Sequence, residues 1–539
     1  MNAPTIAKHC RVSSPLDVKF QPSFRAALVV IVALTAALRV FCLLDLPLSA
    51  TEASTAASAW KGDLDSVSPV SGALTALALF FSGPSDLAAR FFPTLAGILA
   101  VALAGGTYPL LGKRGAATLA LVLATAPGAA YAAGRVGDES VALMLGTLLL
   151  FCLACARSAR WTIAAAATLG ALVSAGVVGC SIAIGVVVAF LVARQRGWAP
   201  YSDLVASVNV NIKTCSLTAL GAFLAIGTVV GMAPLALFHS GPFVWLSRFG
   251  APAEWPFGYA PVLAFVQNPG LIVLPLLGVC VAVIGRTPGW PFYLTWLSAS
   301  SALVVLAPGA QPVDGVALLL PLGCLAGYVG EELFKRDAYL GGKHGLISVC
   351  TAVILFFSIW SFATAQQMTS VALCAVYVIV CVIVLTSSLS RLDTLTRWRL
   401  LSLAGGVLLI LAGLRATDTP RLTLIHEGSI PSQELATVRH DARVRAPSPF
   451  TPQAPTVATT EDYRWLADWY YAGYGRGEDA DLYLIPLKQS APADTSFVRR
   501  YAVSKVYAGD KRTWSEIWPL IWNTSTSNLE TEEIKVYAR

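Results

Sequence analysis

The sequence predicts an all-α polytopic membrane domain of about 13 transmembrane helices, followed by a small C-terminal extracytoplasmic α+β domain. Three observations carry this. Hydrophobic residues fill 56% of 539 positions and charged residues only 13%, about half of the roughly 25% usual in soluble proteins. Mean hydropathy is +0.66. Apolar runs long enough to cross a bilayer recur until residue 415, beyond which the composition changes abruptly.

Taken in order, residues 1–24 are a polar cytoplasmic N-terminal segment with Lys8, Arg11 and Lys19. The apolar stretch after Arg25 is long enough to span, so it reads as an uncleaved first helix and not a signal peptide. Residues 25–416 form the membrane domain, interrupted by a long first extracytoplasmic loop at 46–91. Its apolar runs lie near 25–45, 92–112, 115–134, 139–156, 161–177, 178–194, 216–238, 268–285, 290–307, 313–330, 345–367, 370–389 and 400–415. The run 72–82 is too brief to span and reads as an interfacial helix.

Basic residues set the orientation. Alternate loops hold Lys113–Arg114, Arg157–Arg160, Arg194–Arg196, Arg286, Lys335–Arg336–Lys343 and Arg391–Arg397–Arg399, whereas the opposite set holds only Lys61, Arg90, Arg135 and Arg248. The asymmetry predicts a cytoplasmic N-terminus in the plasma or inner membrane. The first loop, the loops at 239–267 and 308–314, and the tail then share the extracytoplasmic side.

Residues 417–460 read as a linker, Pro/Thr/Ala-rich from 445, and 461–539 as the small domain. EDYRWLADWYYAGY has a helical start at Thr460–Asp462, while DLYLIPL and FVRRYAVSKVYA alternate like strands, with Pro486 suggesting an edge.

The net charge of +7 forms no aromatic-interleaved basic stripe, so nucleic-acid binding is not expected. All eleven cysteines except Cys10 lie in or near apolar segments. The single Cys-x-x-Cys pair, Cys152 and Cys155, shares one apolar helix and reads as core thiols. Asn523–Thr524–Ser525 matches a glycosylation acceptor.

The first loop concentrates acids: Asp45, Glu52, Asp63, Asp65 and Asp86. Glu52 follows the first span closely enough to sit at headgroup depth, where a lipid-linked substrate presents its phosphate. A general base or metal ligand is one reading. The other makes Glu52 the first-turn acid of a short helix, ATEASTAASAWKG, capped by Thr51 or Ser49. At a partly wet interface, Glu52→Gln is expected to leave the fold intact.

Arg135 in YAAGRVGDES stands between two spans with Asp138 and Glu139 beside it. Its planar fork suits a phosphate clamp. Equally, the segment could be a helix–helix turn with Asp138 as cap and Arg135 snorkelling. Among five scattered histidines, His239 falls at the outer end of a span, as a substrate contact or a satisfied interfacial side chain. No His-x-x-x-His pair exists, so a histidine-based metal centre is not expected.

The order Arg39, Leu-Asp-Leu-Pro-Leu, Thr51-Glu52-Ala, Ser-Pro-Val-Ser-Gly, then Gly83-Pro-Ser-Asp-Leu-Ala-Ala-Arg90-Phe-Phe-Pro resembles the N-terminal half of GT-C membrane glycosyltransferases. These include protein O-mannosyltransferases and aminoarabinose transferases, and the layout is most similar to the prokaryotic flippase-activity-associated branch. The resemblance covers roughly residues 25–330. Three positions depart from it. Thr51 stands in place of the aspartate of an Asp-Glu pair, and Ser71-Gly72-Ala73 in place of His-Gly-Pro. Gly309–Asp314 lacks the family's charged pattern.

The resemblance implies transfer of a sugar from a polyprenyl-phosphate donor to an extracytoplasmic acceptor. Glu52 would be the base or metal ligand, with Asp65 or Asp63 an assisting acid, and Arg135, Asp138, Glu139 and His239 would bind substrate. The cofactor is undefined, with a divalent metal left open. Membrane lipids and the lipid-linked sugar are the expected partners, with a membrane protein complex also open. The alternative is a catalytically degenerate member serving as a lipid-binding or scaffolding subunit of an envelope complex. A transporter fits less well, since the spans contain few charges and no matched broken helices.

Overall fold

The computed structural model describes residues 22–415, apart from 44–46, 157, 199–211, 251–254, 269, 286, 288, 307–308, 334–341 and 365–367. Beyond these it describes 429–431, 456–459, 464–470, 475–476, 482–486, 496–506 and 529–538. Most of the N-terminal segment, Asp45, most of the linker and Asn523–Ser525 lie outside the described residues.

Among the described residues each apolar run of the sequence lies largely on helix, and the protein is a multi-pass membrane protein. Among the described residues, four helices are both long and apolar enough to cross a bilayer: Asp86–Leu111, Gly176–Arg196, Pro312–Leu333 and Thr394–Leu411. Two bent pairs bring the number up to six if each is counted as one span. The 115–134 run turns by 63° between Thr125 and Pro127. Proline at the first helical position starts a new helix with its own axis instead of continuing the old one. The 216–238 run ends as a helix at Gly227 and resumes as a 3-10 turn, Pro234–His239.

Packing between these helices relies on small residues. Gly115 and Gly327 bring helices Lys113–Thr125 and Leu319–Leu333 into backbone contact. Gly97 leaves room for the guanidinium of Arg39, whose Nη2 donates to Leu123 O at 2.9 Å. That polar tie joins the first helix, Pro22–Leu43, to the bundle. Phe292, Tyr293 and Trp296 are fully buried in the main core.

The run read as interfacial is helix Pro69–Ser82, with Phe80 and Phe81 exposed at its end. The tail forms a six-stranded sheet in the order β1-β5-β6-β4-β2-β3. Its strands are β1 (Ser429–Pro431), β2 (Thr456–Thr459), β3 (Gly475–Arg476), β4 (Leu482–Pro486), β5 (Ser496–Val506) and β6 (Leu529–Ala538). The segment expected to be linker therefore contributes β1 and β2. Strand β4 lies between β6 and β2, and so is not the edge that Pro486 suggested. Proline is accommodated because it is the last residue of the strand, where a missing donor costs little.

Helix Arg464–Tyr470 docks on the first loop. Val457, Trp469, Tyr470 and Leu484 share one core with Leu48, Ala53, Leu79, Ala88 and Val136.

Candidate functional site

The site is organised by the turn at 133–140, which three separate segments hold. Thr94 Oγ1 donates to Ala133 O at 2.8 Å, and the Val136 N–H donates to Glu52 Oε1 at 2.8 Å. Ser140 Oγ donates to Pro93 O at 2.6 Å. The Asp138 carboxylate receives the Ser68 hydroxyl and, at 2.8 Å, the Ser71 N–H. At this turn Arg135 is half-buried, donating to Tyr131 Oη at 3.1 Å with its guanidinium carbon 5.4 Å from that ring's centroid. An arginine fixed in this way presents its fork in a set direction.

Glu52 begins helix Ala50–Lys61, with Ser49 as cap in a capping box. The side chain is only 2% exposed. Its Oε1 accepts from Arg90 Nε at 3.0 Å and from Val136 N, and its Oε2 accepts from Arg90 Nη2 at 2.8 Å and Ser49 N at 2.9 Å. Arg90 Nη2 also reaches Pro47 O at 3.1 Å. A carboxylate offers about four lone-pair positions, and all four are filled. Burial alone would push this carboxyl up, but Arg90, then Arg135 and the Ser49 N–H, hold it below its ordinary value. Glu52 is thus neither partly wet nor open. A base or a metal ligand at this position would first have to release one of these donors.

Asp138 does not cap its own helix, Glu139–Ala154. It caps Pro69–Ser82 across the loop by accepting at Ser71 N, the third residue of that helix. Gly176, at φ +63°, lies against its carboxylate, where a Cβ would come within 2.9 Å of Oδ2. Burial, reinforced by neighbouring Glu139, raises the Asp138 pKa to about 6 despite the hydrogen bonds from Ser68 and Ser71. Glu139 is half-buried, and its Oε2 takes no hydrogen bond from any described residue.

Asp65 acts in the same manner on another segment. Its Oδ1 accepts from Leu235 N at 2.9 Å and Ala236 N at 3.3 Å, capping the 3-10 turn that ends at exposed His239. Asp63 is exposed. Glu52 therefore binds the turn that carries Arg135, whereas Asp65 binds the turn that ends at His239, and Ser68 and Ser71, just after Asp65, tie that region to the Arg135 turn.

Several contributors are not legible in the sequence. Arg90 was noted only as a loop cation and motif member, yet it neutralises Glu52; a lone arginine opening an apolar helix was the available signal. Arg248 forms an ion pair with buried Asp314, tying the loop after His239 to that after Gly309. Tyr470 accepts the Leu48 N–H at 2.9 Å, Trp469 Nε1 donates to Asp86 at 2.8 Å, and Lys61 pairs with Asp468 at 2.8 Å. No spacing rule joins residues some four hundred positions apart.

Among the described residues no group of three or more His, Cys, Asp or Glu side chains could hold a metal ion. With the Glu52 oxygens occupied, a divalent metal does not fit the position the sequence suggested for it.

No protein-family model matches the chain, and no curated protein matches it. Among solved structures it is similar to ArnT, an aminoarabinose transferase, from Cupriavidus metallidurans bound to undecaprenyl phosphate. The TM-score is 0.51 at 16% identity, over 85% of this chain and 86% of that one. The apo form of the same enzyme gives 0.51 and 16%, over 85% and 87%. The Archaeoglobus fulgidus oligosaccharyltransferase gives a TM-score of 0.46 at 13% identity, over 85% and 65%. With an apolar helical bundle and loops gathered at one end, the chain has the fold of the GT-C membrane glycosyltransferases.

Proposed function

We propose that the protein is an integral membrane glycosyltransferase that moves a sugar from a polyprenyl-phosphate donor to an extracytoplasmic acceptor. The carrying observation is Arg135, set at the loop-side end of a GT-C fold on a turn held from three segments. In this reading the acceptor attacks the anomeric carbon and the carbon–oxygen bond to phosphate breaks. The acceptor proton passes to a carboxylate, and polyprenyl phosphate departs. Arg135 binds the donor phosphate through its fork. Glu52 is a positioning residue that holds Arg90 and the Arg135 turn. Asp65, with one oxygen unoccupied by described donors, is the acid left for the proton, and Asp138, Glu139 and His239 border the substrate.

Mass spectrometry of the purified protein for co-purifying polyprenyl-phosphate sugars, followed by a transfer assay, tests this. Release of polyprenyl phosphate with a glycosylated acceptor is expected. Donor binding without turnover would establish the second reading, a degenerate scaffold, which the saturated Glu52 carboxylate and Thr51 both favour.

The same proposal sets the N-terminus in the cytoplasm and residues 417–539 outside, on the basic-residue asymmetry. Cysteines introduced by Ser13→Cys and Ser490→Cys should label from inside and outside respectively; labelling at position 13 from outside would overturn the orientation.

A further inference from the structure

At the end of the bundle remote from the Arg135 turn, helices Glu139–Ala154, Ala159–Ser174, Gly176–Arg196 and Ile212–Gly227 surround a cavity of about 220 Å³. Leu149 and Leu153 in its wall lie ~15–21 Å along the helix from Glu139. Leu169, Val186 and Phe190 continue a hydrocarbon lining, and Ser216 adds a small polar spot. The adjoining outer faces are also apolar: Leu191, Leu217 and Leu220 are exposed.

Charge gathers at the same end. Arg160, Arg194, Arg196 and Lys213 are all exposed and close to the lining. Arg160 is two residues from Thr162, Arg194 one turn from Phe190, and Lys213 adjacent to Ile212. No described acid pairs with any of them, and the sequence holds no Asp or Glu between Glu139 and Asp203.

We propose that this cavity and its cationic fringe bind an anionic glycerophospholipid, with one acyl chain in the cavity and the phosphate on the four cations. An apolar cavity in a bundle that lives in lipid is filled by hydrocarbon. Cations that meet no described acid at its mouth select a net negative headgroup over a zwitterionic one, whose own ammonium cancels the attraction. The site is independent of the transfer reaction and lies at the other end of the molecule from it.

The test uses the full chain in bilayer nanodiscs of phosphatidylethanolamine doped with phosphatidylglycerol, with native mass spectrometry of retained lipid. Phosphatidylglycerol should be enriched on the wild-type protein. Arg194→Gln with Lys213→Gln should cut that enrichment roughly thirtyfold, at about fivefold per cation. Ser216→Trp fills the cavity from an exposed position while keeping every cation, and it should also lower retention. Equal retention of the two lipids by wild type would overturn the proposal. So would enrichment unchanged in either variant, or displacement of phosphatidylglycerol by added polyprenyl phosphate.

Discussion

At the loop-side end, Glu52, Asp65, Asp86, Asp138 and Asp314 each accept hydrogen bonds from a segment distant in sequence; at the opposite end, Arg160, Arg194, Arg196 and Lys213 meet no described acid. The first arrangement spends charge on geometry, because a buried carboxylate surrounded by donors fixes the segments that supply them. The second sets no described acid against its cations, the feature on which the lipid proposal rests. Depth at a membrane boundary does not make a carboxylate reactive. What matters is whether any of its lone pairs remains open.

The sharpest way to break this comparison is at Glu52. Glu52→Gln removes the counter-charge of buried Arg90 and should cost about 3–5 kcal/mol, since an unpaired buried charge remains. Thermal unfolding in detergent, followed by tryptophan fluorescence, should show a large drop. A melting point equal to that of wild type would mean that the pair is not what holds the first loop.

Asp138 tests the same idea through pH. In the native state its carboxyl keeps a proton up to about pH 6, whereas the unfolded chain releases it near 3.8. The native state thus binds more protons between these values. The stabilisation is complete below pH 4 and is lost as pH rises through 6. Asp138→Asn cannot ionise, so it should be more stable at pH 7 by on the order of 2–3 kcal/mol and flatter between pH 4 and 7. A pH profile parallel to that of wild type would locate the titrating group elsewhere.

Arg135 differs from the carboxylates at its own end of the molecule, being half-buried and held through the hydroxyl and ring of Tyr131. Arg135→Lys should leave the melting point near that of wild type and weaken polyprenyl-phosphate binding by about tenfold, because a point charge replaces a bidentate fork. Unchanged affinity would return Arg135 to its stacking on Tyr131. The smallest effect belongs to Tyr470→Phe, which deprives Leu48 N–H of its acceptor and should cost about 1 kcal/mol in the same melting assay.

The sequence was a good guide wherever a single segment determines the answer. Apolar length marked the long helices of the bundle, alternation marked β4 and β5, and helix Arg464–Tyr470 was visible in EDYRWLADWYYAGY, whereas the short loop helices Gly241–Ser247 and Tyr259–Gln267 lie outside every apolar run. The cap at Glu52 was one of the two readings its spacing allowed, and the capping box is local enough to be read directly. What could not be read was the partner across space. Arg90 saturates Glu52, Asp138 caps a helix from another loop, and Asp65 does the same for Pro234–His239. Each of these pairings depends on loops meeting, and loop residues alone do not encode where the next loop will lie. For the same reason β1 and β2 looked like linker: strands of three and four residues acquire their identity from β5 and β4.

The hydrogen bond between Tyr470 and Leu48 also has a temporal meaning, because its partners are separated by 422 residues. At synthesis rates of roughly 5–20 residues per second, Leu48 is made about 20–80 s before the tyrosine that receives its N–H. Through that interval the first loop exists without Trp469 and Tyr470, the aromatic part of its core. The membrane helices can insert one after another, but the loop-side end reaches its final packing only once the tail has emerged and returned to it. Packing of the first loop is therefore a late step, one that follows synthesis of all the membrane helices described above.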